Sequence, residues 1–278
     1  MKVIVPMAGL GQRFVDAGYE HPKPMIEVGG KPIIDRIVDM FDPKDFLIFI
    51  CNERHLEETG IRDYLYDLHP NSYVVDVPEH NEGPVFTTLP YMDMIEDDEP
   101  VIVTYCDNPY LWDYKKFKKW VKENEVDGCI LTHSDFHPHR LASTYMAYCK
   151  TKKDGSLIEI KEKEPYTKNH MKEHASTGTY YFKKGSYIKK YFQDAIDNKI
   201  KHSNGEYYVT LVYNLLVKDK LDVKVYDTDH VMVFGTPSEV ENFEAWNTIL
   251  DGSQVKSEKD LVKCYNYWKE FRNVTSNT

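Results

Sequence analysis

Residues 6–34 read PMAGLGQRFVDAGYEHPKPMIEVGGKPII, and this stretch says most about the fold. It follows a short apolar strand at the N-terminus and opens with a small-residue loop that contains Gly9 and Gly11. Because glycine lacks a Cβ atom, such a loop can turn sharply and bring its N–H groups close to an anion. Arg13 and Lys23 add two positive charges near the same loop. The stretch therefore predicts a polyphosphate site after the first strand of a parallel sheet.

The glycines are not specific by themselves. Gly9 and Gly11 lack the third glycine of the dinucleotide-binding fingerprint, since Phe14 stands at that position. No GxxxxGK[ST] sequence occurs, which excludes a P-loop NTPase. The structural alternative is a tight strand-to-helix turn with surface charges. A phosphate site is favoured because the glycines, Arg13 and the Pro-Lys-Pro unit around Lys23 lie within one connection.

Beyond this stretch, apolar runs that suit β-strands alternate with helical patterns. We predict strands at residues 3–6, 46–51, 73–77, 101–105 and 128–132, and helices at residues 33–41, 53–68, 84–95 and 114–123. This βαβα order predicts an α/β fold with a Rossmann-like, mostly parallel central sheet and helices on both faces. Ligands of such a sheet bind beyond the carboxyl ends of its strands.

The pattern changes after residue 140. Two predicted strands, 145–149 and 157–163, flank a turn with the sequence KDGS, which is typical of a hairpin. Further strands are predicted at 179–182 and 223–226, and further helices at 187–199, 207–218 and 237–250. We therefore expect one domain over residues 1–250, with a nucleotide-binding half (1–135) and an α+β acceptor-binding half (136–250). Residues 251–278 are expected to form a C-terminal helical extension.

Composition narrows the function classes. The chain has 278 residues, of which 41% are hydrophobic, and a net charge of −10. That charge argues against non-specific binding of nucleic acid and against anionic membrane surfaces. Five cysteines without a C-x-x-C pair indicate reduced thiols in a cytoplasmic protein. The N-terminal apolar run is too short for a signal peptide, and no run of about 18 apolar residues predicts a membrane span.

The motif G-x-G-x-R-F at residues 9–14, followed by K-P-M (23–25) and G-G-K-P-I-I (29–34), resembles the signature of the sugar-1-phosphate nucleotidyltransferases. The resemblance covers roughly residues 1–245 and is greatest to the bacterial branch tied to capsule and surface-polysaccharide synthesis. It implies a glycosyltransferase-A-like fold and transfer of NMP from an NTP to a sugar 1-phosphate, or to a similar phosphorylated small molecule. Pyrophosphate and an NDP-sugar would be the products, Mg²⁺ the cofactor, and a homo-oligomer is possible.

The resemblance assigns the metal to Asp107, which directly follows the predicted strand 101–105. A carboxylate at the carboxyl end of a central strand points into the site, and it suits Mg²⁺. The alternative is an aspartate that caps a turn. Many relatives carry a second acid two residues before a G-T-P triplet, but here that position is Val233. Either Asp107 and the phosphates hold the metal alone, or another acid replaces the missing one. Asp227 and Asp229 are the nearby candidates, and the alternative is that both are surface carboxylates at a strand end.

The resemblance also assigns the two substrates to separate segments. Asn81 and Gly83 would read the nucleobase, because an amide offers both a donor and an acceptor, although Pro84 also suits a plain helix start. The acceptor would be held by Glu162, Gly178 and Glu206, with Lys163 on its phosphate. A run of alternating charges such as residues 160–165 is more often a solvated strand face.

The full set of expected site residues follows from these assignments. Nucleotide-binding residues are Ala8, Gly9, Leu10, Gly11, Asn81 and Gly83; catalytic residues are Arg13, Lys23 and Lys163; substrate-binding residues are Glu162, Gly178 and Glu206; the metal ligand is Asp107. His133, His137 and His139 are interpreted as part of a loop over the acceptor pocket, in preference to a zinc site. Two other functions stay open: a non-catalytic nucleotide- or sugar-phosphate-binding regulator, and a glycosyltransferase of the same fold that uses an NDP-sugar.

Overall fold

The computed structural model describes residues 1–135, 137–141, 144–251, 257 and 259. In this part of the chain the strands are β1 (Lys2–Met7), β2 (Glu27–Val28), β3 (Lys31–Pro32), β4 (Phe46–Asn52), β5 (Ser72–Val77), β6 (Val101–Thr104), β7 (Gly128–His133), β8 (Ala147–Thr151), β9 (Leu157–Glu162), β10 (His174–Phe182) and β11 (Val223–Asp227). The α-helices are α1 (Gln12–Asp16), α2 (Ile33–Val38), α3 (Glu53–Glu58), α4 (Ile61–Leu68), α5 (Pro84–Thr88), α6 (Tyr114–Glu123), α7 (Gly185–Asp197), α8 (Val209–Lys218) and α9 (Pro237–Asp251).

The central sheet has the order β5-β4-β1-β6-β10-β7-β11. Strand β1 lies parallel to both β4 and β6, with Val3 opposite Leu47 on one side and Ile102 on the other. Only β10 runs against its neighbours β6 and β7, and the β8–β9 hairpin joins the sheet at the start of β10. The prediction of a mostly parallel sheet is confirmed, and one sheet contains strands from both predicted halves.

Helices cover both faces of this sheet, as predicted. On one face, α2, α4 and α6 share a buried cluster with residues of the sheet, through side chains such as Ile37, Leu65 and Phe117. On the other face, α5, α7 and α8 pack through residues such as Ile188 and Val212. Strand β4 is almost fully buried because it is covered from both sides, which explains its continuous apolar sequence.

Two predicted helices are interrupted. The helix expected over 53–68 is split into α3 and α4, because Thr59 is extended and its hydroxyl accepts from the N–H of Ile61 at the start of α4 (3.4 Å). The helix expected over 84–95 ends at Thr88 and continues as a 3₁₀ helix, Leu89–Met94. Pro90 has no N–H to donate to the preceding turn, so the α-helix cannot continue through it.

Other boundaries moved. Strand β10 starts at His174 instead of residue 179, and α8 starts at Val209 instead of residue 207. The predicted C-terminal helix lies outside the described residues apart from positions 251, 257 and 259. The four cysteines in the described part are free and buried. No described helix has the length and apolar character needed to cross a membrane.

Candidate active site

A pocket of about 400 Å³ opens where β1 and β6 end at the carboxyl edge of the sheet. This is the edge at which open α/β sheets bind ligands. Ten of the expected site residues line it: Ala8, Gly9, Leu10, Gly11, Arg13, Lys23, Asn81, Gly83, Asp107 and Glu206. Three expected residues, Glu162, Lys163 and Gly178, are not part of this lining, although Lys163 and Gly178 contact residues that are.

The loop after β1 is held in a fixed shape. Gly11 has a φ of 63°, a left-handed conformation that favours glycine, and its carbonyl accepts from the N–H of Phe14 at 2.7 Å. The buried Asn52 amide donates to the carbonyl of Ala8 at 3.3 Å. A Cβ atom at Gly9 would meet nothing within 4 Å. The backbone of this loop is therefore anchored at both ends and open to a ligand at Gly9.

Lys23 and Asp107 form an ion pair beside this loop. Lys23 Nζ lies 2.8 Å from Asp107 Oδ2, and the two side chains are 19% and 18% exposed. Burial works to lower the pKa of Lys23, but Asp107, together with Cys106 and Glu239, raises it above its ordinary value. Lys23 therefore remains positively charged at all physiological pH values, at the wall of the pocket.

The Asp107 carboxylate keeps one oxygen available. Oδ1 is buried and has no hydrogen-bond partner among the described residues. An unpaired buried carboxylate oxygen is costly unless a ligand such as a divalent cation completes it. No group of three His, Cys, Asp or Glu side chains in the described ranges is arranged to hold a metal ion. Mg²⁺ would therefore fit only as an ion held by Asp107 together with substrate oxygens.

The second acid expected from relatives is absent in space as well as in sequence. Val233 is buried in the core. Asp227 accepts from Thr132 (2.6 Å) and contacts His174 (2.9 Å), so it is engaged elsewhere. Glu239 is closer to Asp107: a Cβ atom at Gly235 would lie 3.3 Å from Glu239 Oε2 and 3.5 Å from Asp107 Oδ2. Burial, and then the charge of Asp107, raise the pKa of Glu239.

The expected base-reading loop is organised around a neutral histidine. His80 Nδ1 accepts from the N–H of Glu82 (3.1 Å), and His80 Nε2 lies 3.1 Å from the Thr87 hydroxyl. Burial lowers the pKa of His80, which favours the neutral ring that this pattern requires. Asn81 is exposed next to it at the pocket wall. The loop therefore presents Asn81 from a fixed backbone.

Two of the residues expected to hold the acceptor contact tyrosines that line the pocket. Lys163 Nζ donates to the Tyr208 hydroxyl at 3.0 Å. Glu162 accepts from Thr210 at 2.7 Å, and burial raises the pKa of its carboxyl group. A Cβ atom at Gly178 would stand 2.9 Å from Cδ2 of Tyr105, so the glycine gives Tyr105 its room. Lys163 and Gly178 therefore adjoin the pocket wall, whereas Glu162 bonds to Thr210, which lies outside the lining.

The histidine that ends β7 and the two that follow it form a separate cluster, in which His133 is fully buried. His133 Nε2 lies 3.2 Å from His139 Nε2, and the rings of His133 and His137 are 4.6 Å apart. Burial, and then repulsion between the rings, lower the pKa of His133 to about 2 and that of His139 to about 3. The cluster is therefore neutral at physiological pH, and none of its three histidines lines the pocket.

Sequence reasoning missed several residues that shape the pocket. Asn52 and Glu239 act through contacts with distant segments, and no local motif marks them. One signal was available for Asn52, because it is a polar residue at the end of an apolar strand, where a parallel sheet places site residues. His80 and Tyr105 also line the pocket and adjoin expected residues.

Comparisons with known proteins identify the family of this chain. The family model described as the MobA-like NTP transferase domain matches residues 3–155, more than half of the chain. The chain is 26% identical over 165 residues to 2-C-methyl-D-erythritol 4-phosphate cytidylyltransferase of Halalkalibacterium halodurans, which covers 58% of this chain and 65% of that protein. It is 43% identical over 51 residues to glucose-1-phosphate cytidylyltransferase of Salmonella typhimurium, covering 17% and 20%. The matches span less than two thirds of these relatives.

Solved structures share the fold. A nucleoside-diphosphate-sugar pyrophosphorylase from Vibrio cholerae superposes with a TM-score of 0.67 and 20% identity, covering 87% of this chain and 99% of that one. A UDP-glucose pyrophosphorylase solved with UDP-glucose gives a TM-score of 0.67 and 15% identity, covering 90% and 98%. The fold expected from the resemblance is thereby confirmed.

Proposed function

This chain belongs to the MobA-like NTP transferase family, and from that premise we propose that it transfers a nucleotidyl group from an NTP to a small phosphorylated acceptor, with release of pyrophosphate. A sugar 1-phosphate is the acceptor class that the sequence resemblance favours. The nucleophile would be a phosphate oxygen of the acceptor, which is already an anion. The reaction therefore needs no covalent enzyme intermediate, only the alignment of two anions and neutralisation of their charge.

One observation carries this proposal: a permanently charged lysine and a carboxylate with a free oxygen flank an open glycine loop. In the proposed complex the amides of residues 8–11 and Arg13 bind the terminal phosphates. Lys23 stabilises the α-phosphate and the leaving pyrophosphate. Asp107 Oδ1 would hold Mg²⁺, which supplies charge neutralisation at the phosphates. Lys163 orients the acceptor.

The nucleobase is proposed from the relatives. Both curated proteins named above are cytidylyltransferases, so CTP is the first nucleotide to test. In the proposed complex, Asn81 faces the base. A role in capsule or surface-polysaccharide synthesis, location in the cytoplasm and homo-oligomerisation stay predictions.

The decisive experiment is pyrophosphate release with a panel of NTPs and phosphorylated acceptors in the presence of Mg²⁺. We expect release with one NTP and only when an acceptor is present. Nucleotide binding without release, for every acceptor tried, would favour the regulator. Consumption of an NDP-sugar without pyrophosphate would favour a glycosyltransferase. Either result would overturn the proposal.

The metal assignment has its own test, in which Mn²⁺ stands in for Mg²⁺. Asp107→Asn removes the charge of the carboxylate but keeps its shape. We expect Mn²⁺ affinity in the presence of CTP, followed by electron paramagnetic resonance, to fall by at least the roughly 10–100-fold that loss of an outer-shell partner causes. Asp67→Asn, at an exposed position of α4 outside the pocket, is the control and should leave the affinity unchanged. Equal affinities in the two variants would contradict the role of Asp107.

A further inference from the structure

Two loops that each contribute residues to the pocket wall are joined to each other. We call residues 80–85 the base loop and residues 201–208 the acceptor loop. The N–H of Tyr207 donates to the carbonyl of Glu82 at 2.8 Å, and the N–H of Val85 donates to the carbonyl of Tyr207 at 3.2 Å. These reciprocal bonds hold the backbones together as neighbouring strands are held in a sheet.

The approach is so close that it admits only glycine at one position. A Cβ atom at Gly83 would lie 3.0 Å from Glu206 Cβ and 3.0 Å from both N and O of Tyr207. Gly83 also has a φ of 87°, which other residues rarely adopt. The loops therefore contact each other through backbone atoms, and neither can shift without the other.

A side-chain pair adds to this backbone contact. Lys201 Nζ lies 2.7 Å from Glu82 Oε2 and 4.4 Å from the centre of the Tyr207 ring. One lysine thus binds the base loop through its charge and the acceptor loop through an aromatic face. The pair is partly exposed, so its contribution is modest, but it can be removed without opening a cavity.

The acceptor loop continues to the residues expected to hold the acceptor. Glu206 and Tyr208 line the pocket on either side of Tyr207. The Tyr208 hydroxyl accepts from Lys163 Nζ (3.0 Å) and from Asn204 Nδ2 (2.9 Å). A continuous set of contacts therefore runs from the base loop to Lys163.

We propose that Glu82 and Lys201 are positioning residues that couple the base loop to the acceptor loop, so that a bound nucleotide orders the acceptor side of the pocket. This inference rests on the proposed function. It adds residues that touch neither the phosphates nor the metal, and it predicts that the nucleotide prepares the site for the acceptor.

Hydrogen exchange with CTP and Mg²⁺ alone tests the coupling without knowledge of the acceptor. In the wild type, the nucleotide should slow exchange in residues 8–13, in the base loop and in the acceptor loop. In Lys201→Met, protection of residues 8–13 should persist. Protection of the acceptor loop should fall by up to about fivefold, the effect of losing one partly exposed ion pair.

Two further variants separate coupling from a general loss of order. The charge swap Glu82→Lys/Lys201→Glu should restore protection of the acceptor loop. Lys189→Met is the matched control, because Lys189 forms an ion pair with Asp97 at the same distance of 2.7 Å and has the same 32% exposure as Lys201. It should behave as the wild type.

The outcomes distinguish the two proposals. Protection of residues 8–13 with an acceptor loop that is equally protected in the wild type and in Lys201→Met would overturn the coupling and leave the proposed function intact. Failure of the charge swap to restore protection would also overturn it. If no NTP protects residues 8–13, the proposed function fails, and the coupling fails with it.

Discussion

Two clusters of ionisable side chains follow central strands of the same sheet, and they differ in charge and access. Lys23 keeps its positive charge, paired with Asp107, at the wall of an open pocket. The histidines at the end of β7 and after it carry no charge, because burial keeps His133 and His139 neutral. The guanidinium of Arg140 lies beside them, 1% exposed, and donates to backbone carbonyls. A cluster of ionisable side chains is therefore not by itself a sign of a binding site. A charge that is retained next to an open pocket is the better indication.

The largest effect should come from removing the retained charge. Lys23→Met should lower kcat by about 10²–10³-fold, the usual loss when one charge-stabilising donor is removed from a reaction centre. Pyrophosphate release measures it, and circular dichroism checks that the fold persists. Lys44→Met, at an exposed position outside the pocket, is the control and should turn over as the wild type. Near-normal turnover of Lys23→Met would show that the charge of Lys23 serves the reaction no more than the histidine cluster does.

A substitution in the second cluster should lower the stability of the protein and leave its activity nearly unchanged. Arg140 donates to the carbonyls of Asp135, His170, Met171 and Glu173, which ties two loops together. Arg140→Met leaves these carbonyls without a donor and should lower the free energy of unfolding by about 3 kcal/mol.

Urea denaturation measures this loss, with the partly exposed Arg62→Met as control, expected to lose no more than about 1 kcal/mol. Pyrophosphate release per folded molecule should change by less than about twofold. A large fall in turnover at unchanged stability would show that Arg140 serves the reaction.

The neutral histidines predict a pH dependence of stability. Their pKa values are lower in the folded state than the ordinary value near 6.5, so the unfolded chain takes up protons first as the pH falls. Their contribution to the free energy of unfolding is fully present above about pH 6.5 and is lost as the pH falls from there towards pH 3. Each histidine should contribute a slope of about 1.4 kcal/mol per pH unit in that window.

His139→Gln should therefore flatten the dependence of unfolding free energy on pH, measured by urea denaturation between pH 7 and pH 4.5. His21→Gln, at an exposed position, is the matched control and should follow the wild-type curve. Superimposable curves for His139→Gln and the wild type would show that the cluster is not held neutral.

The smallest effect separates two glycines within the first cluster. Gly11→Ala places a side chain at a φ of 63° and should cost about 1 kcal/mol of unfolding free energy. Gly9→Ala meets no neighbour within 4 Å and should cost almost nothing in the absence of a ligand. Thermal unfolding of the two variants, compared at equal buffer conditions, checks the difference. Equal losses would mean that the loop after β1 is not anchored at Gly11.

Sequence patterns predicted the parts of the fold that depend on local periodicity. Helix α6 and strand β4 were placed within a residue because apolar positions recur at the helical period in one and continuously in the other. The break at Thr59 and the early start of β10 were missed. Both depend on hydrogen bonds or strand pairings that cannot be predicted from the surrounding sequence.

The residues of the candidate site also divide into those that local sequence predicted and those that it did not. The residues of the first 34 positions and Asp107 were predicted because a short motif, or the end of a strand, placed them together. Asn52, Glu239 and the contact of Gly83 with Tyr207 were not, since each joins segments far apart in the chain. Tertiary contacts of this kind leave no periodic trace in the sequence.

The position of β10 bears on how the chain is made. Strand β10 fills the gap between β6 and β7, yet it is synthesised after both. As the polypeptide leaves the ribosome, one edge of β6 stays unpaired while the next part of the chain is translated, and an open edge of this kind invites pairing with a wrong strand. The loop after β1 therefore emerges early but stands on a sheet that is completed late, so co-translational handling of the nascent chain bears directly on whether the pocket forms.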